Sequence, residues 1–250
     1  MNNFFDDEEL KQLPFPFAVH NDMSDQDYMV SDCNREAIQM VNMWPNWLGQ
    51  GLYVYGPKGC GKTHLAHVFM QNVQRSAAKP VKVSILNAAQ IHLRSVKRIA
   101  EENQCIVIEN LTPKVHEEAL FHLFNLFNVD GKYMLWTSEY APNHMHFMLK
   151  DLQSRLKMLP AVAIKEPDDV MLQMLIVKLF NDRQLRITPE ILNYICLHAR
   201  RSFGYICDLV PELDALSMAY QKSIDFELIE MAIEVLQSRE KRQPDLFDER

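Results

Sequence analysis

The stretch Gly56-Pro57-Lys58-Gly59-Cys60-Gly61-Lys62-Thr63 constrains this chain more than any other. It satisfies G-x-x-x-x-G-K-[ST] where an apolar run gives way to a helical pattern. Residues 52–55 read as the strand before it, and 63–75, opening with Thr63-His64, as the helix after it. Glycines let successive backbone N–H groups face a row of phosphates, Lys62 reaches the β/γ oxygens, and the Thr63 hydroxyl can hold Mg²⁺. The helix N-terminus adds its own positive potential. Such a loop sits between a buried strand and a helix, so it points to an α/β architecture and to nucleotide binding together.

The surrounding pattern supplies the sheet. Short apolar runs at 52–55, 81–86, 105–108, 133–137 and 161–164 predict five strands, with helical patterns at 63–75, 88–100, 115–128 and 146–156 between them. Continuous apolar runs, as opposed to alternating ones, suit strands covered on both faces, so the expectation is a parallel five-stranded sheet between helices. After 164 the strands stop. Pro167-Asp168-Asp169 and Thr188-Pro189-Glu190 open helices, and further helices are predicted at 204–222 and 225–239. Roughly 70 residues is small for an independent fold, so this helical part is expected to dock on the sheet domain. The expected organisation is an acidic arm at 1–25, an α/β domain at 26–165, a helical lid at 166–238 and a polar tail at 239–250.

Composition narrows the function classes. The chain has 250 residues, 48% of them hydrophobic and 24% charged, with no run of eighteen apolar residues and an N-terminus, MNNFFDDEEL, unlike a signal peptide. A membrane span and secretion are therefore not expected, and a cytoplasmic location is. The cysteines Cys33, Cys60, Cys105, Cys196 and Cys207 form no C-x-x-C pair, and His116, His122, His144 and His146 lack a clustered Cys or carboxylate. No disulfide framework or structural metal is expected. Residues 1–34 hold eight of the 33 acids and, in Lys11, one of the 26 bases, which leaves 25 of each sign in the rest. A neutral body argues against an autonomous duplex-DNA binder. Arg94, Lys97 and Arg98 lie near one helix face, as phosphate contacts or as a solvated surface.

Hydrolysis needs more than the loop. Cys105-Ile106-Val107-Ile108-Glu109-Asn110 is an apolar strand ending in an acid, so Glu109 can serve the metal. Asn110 follows where a second acid would polarise water, and an amide cannot take that proton. Glu117 or Glu118, on the next helix, stays open as a substitute.

In order, these features resemble the AAA+ ATPases of the DnaA branch: phosphate loop, acid-ended strand, Leu135-Trp136-Thr137-Ser138, Leu152-Gln153-Ser154-Arg155-Leu156, helical lid. The finer likeness is to the DnaA-related regulators called Hda. It rests on Val30-Ser31-Asp32-Cys33-Asn34, Trp44-Pro45-Asn46-Trp47, the loop through His67, and Lys178-Leu179-Phe180-Asn181-Asp182-Arg183-Gln184-Leu185, and it spans roughly residues 10–236. The resemblance implies an AAA+ P-loop fold with a helical lid and an adapter that holds ADP or ATP with Mg²⁺. With the DNA-loaded sliding clamp (the polymerase β subunit), such an adapter makes DnaA hydrolyse its ATP and so represses re-initiation of replication.

It further implies that Tyr28, Val30 and the residues to Asn34 line the adenine side. Gly56, Pro57 and His64 would belong to the nucleotide site, Gly59, Cys60, Gly61, Lys62 and Thr63 would hold the phosphates, Thr63 and Glu109 the metal, and Arg155 would act in trans as an arginine finger. The usual second nucleotide-sensing arginine aligns with Gly204, which leaves Arg201, one turn earlier, as a substitute or a surface residue. DNA would be reached through the clamp, and self-association stays open. The rival reading is an AAA+ motor such as a helicase loader.

Two short peptides meet the demand of a clamp pocket for one glutamine anchor and apolar side chains on an extended segment. One is Gln12-Leu13-Pro14-Phe15-Pro16-Phe17 in the arm; the other is Gln243-Pro244-Asp245-Leu246-Phe247 in the tail. Leu246 and Phe247 either bind a clamp or fold back on the lid.

Overall fold

A computed structural model describes residues 28–76 and 81–242. Both clamp-like peptides, with Gln12, Leu13, Phe15, Phe17, Gln243, Leu246 and Phe247, lie outside the described residues.

The first part alternates strands and helices. Its elements are α1 (Arg35–Asn42), β1 (Gly51–Tyr55), α2 (Lys62–Ser76), β2 (Val83–Asn87), α3 (Leu93–Glu102), β3 (Cys105–Leu111), α4 (Glu117–Val129), β4 (Tyr133–Ser138), α5 (Lys150–Met158) and β5 (Ala161–Ala163). All pairings are parallel and the order is β2-β3-β4-β1-β5. Side chains alternate across the sheet. Tyr53, Ile106, Ile108, Met134 and Trp136 join a core under α3, α4 and α5, whereas Leu52, Val54, Val107 and Leu135 join another with α1 and α2. Both faces are buried, which is why the strands read as unbroken apolar runs.

Four helices follow: α6 (Asp169–Asp182), α7 (Pro189–His198), α8 (Phe203–Tyr220) and α9 (Phe226–Arg242). The Thr188 hydroxyl accepts from the Ile191 amide, and Pro189 takes the first helical position, where it forfeits no bond. These helices have their own core around Leu172, Ile176, Phe180, Ile195, Ile206 and Leu209. Met171 of α6 and Phe203 of α8 instead join the core shared by α1 and α2, which fastens this lid to the sheet. Among the described residues, no helix is long and apolar enough to cross a membrane.

Three local readings change. The helix expected at 88–100 is two elements, a single 3₁₀ turn at Ala88–Gln90 and α3. The Asn87 carboxamide accepts from Ala89, then Ile91 turns extended and sinks into the core before Ser95 bonds back to His92. The α1 helix has no counterpart in the sequence reading: its apolar stripe of Ala37, Ile38, Met40 and Val41 spans only two turns, too short to stand out as an element. Finally, β3 runs past residue 108 to Leu111 through a bulge.

Candidate functional site

The phosphate loop leaves the carboxyl end of β1, a central strand, where open α/β sheets bind ligands. Its conformation follows from its glycines at two points. Gly56 is buried so closely that a Cβ would stand 2.4 Å from the Ile164 carbonyl oxygen. Gly59 has φ +77°, and a Cβ there would stand 2.9 Å from the Gly204 amide nitrogen. The lid therefore reaches the loop by direct backbone packing, at the first turn of α8. By contrast, a Cβ on Gly204 would find its nearest neighbour, the Lys58 carbonyl oxygen, at an ordinary 3.6 Å.

Lys62 is the buried cation of the site, 8% exposed. Its Nζ donates to the carbonyls of Gly56 and Pro57 at 2.8 and 2.9 Å and lies 3.7 Å from Cys60 Sγ. Burial pushes the Cys60 thiol up, against the opposing pull of the Lys62 ammonium, so Cys60 is a packed thiol and not a nucleophile. Thr63, at the start of α2, is exposed, as are Pro57 and Gly59. Tyr28 packs edge-on against His64 with ring centroids 5.1 Å apart, and its ring edge is 3.8 Å from where a Gly61 Cβ would be.

The segment carrying Tyr28 and Val30 is fixed from below. Asn34 accepts from the Ser31 amide and donates to the Met29 carbonyl, closing a tight turn that leaves Val30 45% exposed. The same turn is tied to the lid hinge: Asp168 accepts from the amides of Cys33 and of Met171, the latter capping α6. Partial burial opposes ionisation of Asp168, but the bonds from Met171, Ser31, Cys33 and Asp32 outweigh it and hold the carboxyl below its ordinary range. Asp168 reads in sequence only as a cap; its link to Cys33, 135 positions away, has no local signal.

The end of β3 completes the edge. Its register sets Ile108 beside Trp136 and Leu111 beside Ser138, so Glu109 and Asn110 share the place opposite Thr137. Val54, the next-to-last residue of β1, pairs with that same Thr137, which puts Glu109 level with the strand that feeds the loop. Glu109 keeps one buried carboxylate oxygen, Oε1, without a hydrogen-bond partner. Asn110 has φ +56° and its amide donates to Thr137 Oγ1 at 3.3 Å. Asparagine is among the few residues at ease in the left-handed region, so the bulge itself favours Asn here, apart from any catalytic role.

The remaining candidates fall elsewhere. Glu117 is committed: its carboxylate accepts from the amides of Met148 and Leu149 and so caps α5, which removes it as a stand-in base. Glu118 is exposed. Arg201 forms an ion pair with Asp169 on α6. Arg155, on α5, packs over the rings of Phe121 and Phe124. Beside the loop a cavity of about 600 Å³ opens between Pro57-Lys58 and α8. Lys62, Thr63 and Glu109 do not line it, so it flanks the phosphate position and does not contain it.

No protein-family model matches the chain. The chromosomal replication initiator DnaA of Flavobacterium psychrophilum is 24% identical over 255 residues, covering 94% of this chain. An uncharacterized protein of Haemophilus influenzae is 23% identical over 225 residues, 88% of this chain and 96% of that protein. The chain spans about half the length of the DnaA relative, 53%. Among solved structures, domain III of the Thermotoga maritima initiator DnaA superposes with a TM-score of 0.71 at 18% identity, covering 84% of this chain and 95% of that one. AMPPCP-bound DnaA from Aquifex aeolicus gives 0.63 at 19%, covering 87% and 69%. The parallel sheet, the loop after β1 and the helical lid together are the DnaA-related AAA+ P-loop fold, matching domain III of the replication initiator.

Proposed function

We propose that this protein is a nucleotide-bound regulatory adapter that, with the DNA-loaded sliding clamp, promotes hydrolysis of ATP held by DnaA and so represses re-initiation of replication. One observation carries the reading: Lys62 is buried against the Gly56 and Pro57 carbonyls of the phosphate loop while, at the end of β3, an amide stands in a bulge where hydrolysis calls for a base. Such a chain holds a nucleotide as a structural part. The AMPPCP in the related Aquifex structure supports an adenine nucleotide, with ADP the form a non-hydrolysing holder would retain.

Tyr28, Val30 and His64 would face the base and sugar, and Gly56 to Thr63 the phosphates. The residues present fit Mg²⁺, since Thr63 offers an exposed hydroxyl and Glu109 a partnerless carboxylate oxygen; the ion would supply charge neutralisation. Arg155 would act on the neighbouring DnaA. There water attacks the γ-phosphorus, one of its protons passing to solvent and the other staying on the released phosphate, the bond to the β-phosphate oxygen breaks, and ADP leaves with that electron pair while the guanidinium balances the spreading charge. The peptides at 12–17 and 243–247 would engage the clamp, and the clamp the DNA.

The test combines purified protein, clamp loaded on DNA, and ATP-loaded DnaA, following hydrolysis with wild type and Arg155→Ala. Acceleration by wild type, lost in Arg155→Ala, is expected; no acceleration by wild type rejects the adapter. Glu109 with its open oxygen favours a second reading, an AAA+ motor. A turnover above about one per second by the isolated protein, ordinary for an enzyme, would establish it instead.

A further inference from the structure

Helix α4 devotes one face to α5. Glu117, Phe121 and Phe124 stand four and three residues apart, a spacing that aligns them along one side of a helix. Glu117 accepts from the Met148 and Leu149 amides at 3.1 and 2.6 Å, which fixes where α5 begins. One turn and two turns on, the Phe121 and Phe124 rings lie under the Arg155 guanidinium, with its Cζ 5.5 and 5.6 Å from their centroids. Phe124 is 7% exposed and its ring lies 6.2 Å from that of Trp136 on β4, so the shelf is backed by the sheet. Among the described residues Arg155 has no carboxylate partner.

That last point gives the arrangement its meaning. A carboxylate would hold Arg155 by taking two of its five N–H donors and cancelling its charge. Ring faces hold a guanidinium through the π quadrupole, leaving the donors and the charge available. We infer that Glu117, Phe121 and Phe124 are positioning residues: they set the start of α5 and shelve Arg155 so that its guanidinium meets a neighbouring molecule's phosphates already oriented. This rests on the proposed trans-acting role of Arg155. It assigns to α4 a task that neither the resemblance nor the comparisons give it. The two rings have a reason beyond filling space, since an aliphatic residue at 121 or 124 would supply apolar surface and hold no cation.

The experiment compares wild type with Phe121→Leu, Phe124→Leu and the rescue variant Phe121→Trp. Two readouts are taken. In the isolated protein, the Arg155 side-chain resonances, assigned through Arg155→Lys, are expected upfield from ring currents and are expected to return toward random-coil positions in Phe121→Leu. In the reaction of ATP-loaded DnaA with clamp on DNA, the maximal hydrolysis rate is expected to fall at least tenfold in Phe121→Leu. The half-saturating concentration should stay within twofold, and Phe121→Trp should restore the rate. Phe121 is the primary site because it is only half-buried, and an unchanged affinity for ADP shows that the variant is folded. A wild-type maximal rate in both leucine variants overturns the shelf while leaving the adapter intact. A faster rate overturns it too, because the rings would then be restraining Arg155. A loss confined to half-saturation reduces Phe121 to interface packing. No acceleration by wild type removes the adapter, and the positioning role with it.

Discussion

At the carboxyl edge of the sheet, Lys62 is buried and donates to two carbonyls of its own loop, whereas two strands away Glu109 keeps a buried oxygen with no partner. The first is a finished structure before any ligand arrives; the second is finished only when something else supplies a charge or a proton. Buried polar groups are nearly always paired, so the orphan marks the place where the site expects company. The same contrast separates binding from turnover. Holding phosphates needs backbone and one cation, the parts the loop and Lys62 would supply. Splitting a phosphate needs a base, and that position is occupied by an asparagine that the bulge geometry also suits.

The comparison breaks most readily at the loop. Lys62→Ala should weaken ADP binding by about thirty- to a hundredfold, the scale of lost hydrogen bonds to a charged partner. Calorimetric titration reads this directly, and an affinity close to wild type would mean that the loop is not the grip. Gly59→Ala should lower stability by about 1–2 kcal/mol, from left-handed strain before any contribution from the approach of Gly204. At about 2–4 °C per kcal/mol for a chain of this size, thermal melting resolves it. An unaltered melting point would show that Gly59 does not hold its left-handed conformation in solution.

The β3 end is probed by Asn110→Gly and Asn110→Glu. Glycine accepts φ +56° freely and should leave the melting temperature within about 2 °C, while glutamate, whose longer side chain lacks the local hydrogen bonding that lets asparagine occupy that region, should cost about 1 kcal/mol. If glutamate nevertheless brings measurable ATP hydrolysis to the isolated protein, the missing base was the main defect. If it brings none, the deficit extends beyond position 110. The smallest effect belongs to the hinge. Because the folded state depresses the Asp168 pKa, the group adds stability above its unfolded value, near 3.9, and loses that contribution as pH falls through the lower, folded one. Asp168→Asn should therefore lower the melting temperature at pH 6 and flatten its decline below about pH 4. Parallel curves for the two proteins would show that the hinge bond does not form.

Much of this was legible in the sequence, for physical reasons that can be named. The five strands carry apolar residues on both faces, and their runs announce themselves. The phosphate loop is a contiguous string whose chemistry depends on its own spacing. What escaped was set by pairing at a distance. The break at Asn87 and Ile91 depends on which side chain the core needs. The bulge at Asn110 exists only against Thr137 of the neighbouring strand. Glu117 looked like a free acid near a catalytic strand, and its commitment to the Met148 and Leu149 amides, more than thirty positions away, reflects helix packing that no local pattern records.

The aromatic shelf under Arg155 also bears on how the molecule responds to salt. The Debye length shrinks from about 10 Å at 0.1 M to about 3 Å at 1 M, so an arginine tethered by an exposed surface carboxylate would loosen as ionic strength rises. The faces of half-buried Phe121 and buried Phe124 carry no net charge for dissolved ions to neutralise. Raising the salt concentration should then weaken the encounter between this protein and an acidic or basic partner surface while leaving the guanidinium where Phe121 and Phe124 hold it. Under the proposed adapter role, ionic strength would tune how often the complex forms and not how well it works once formed.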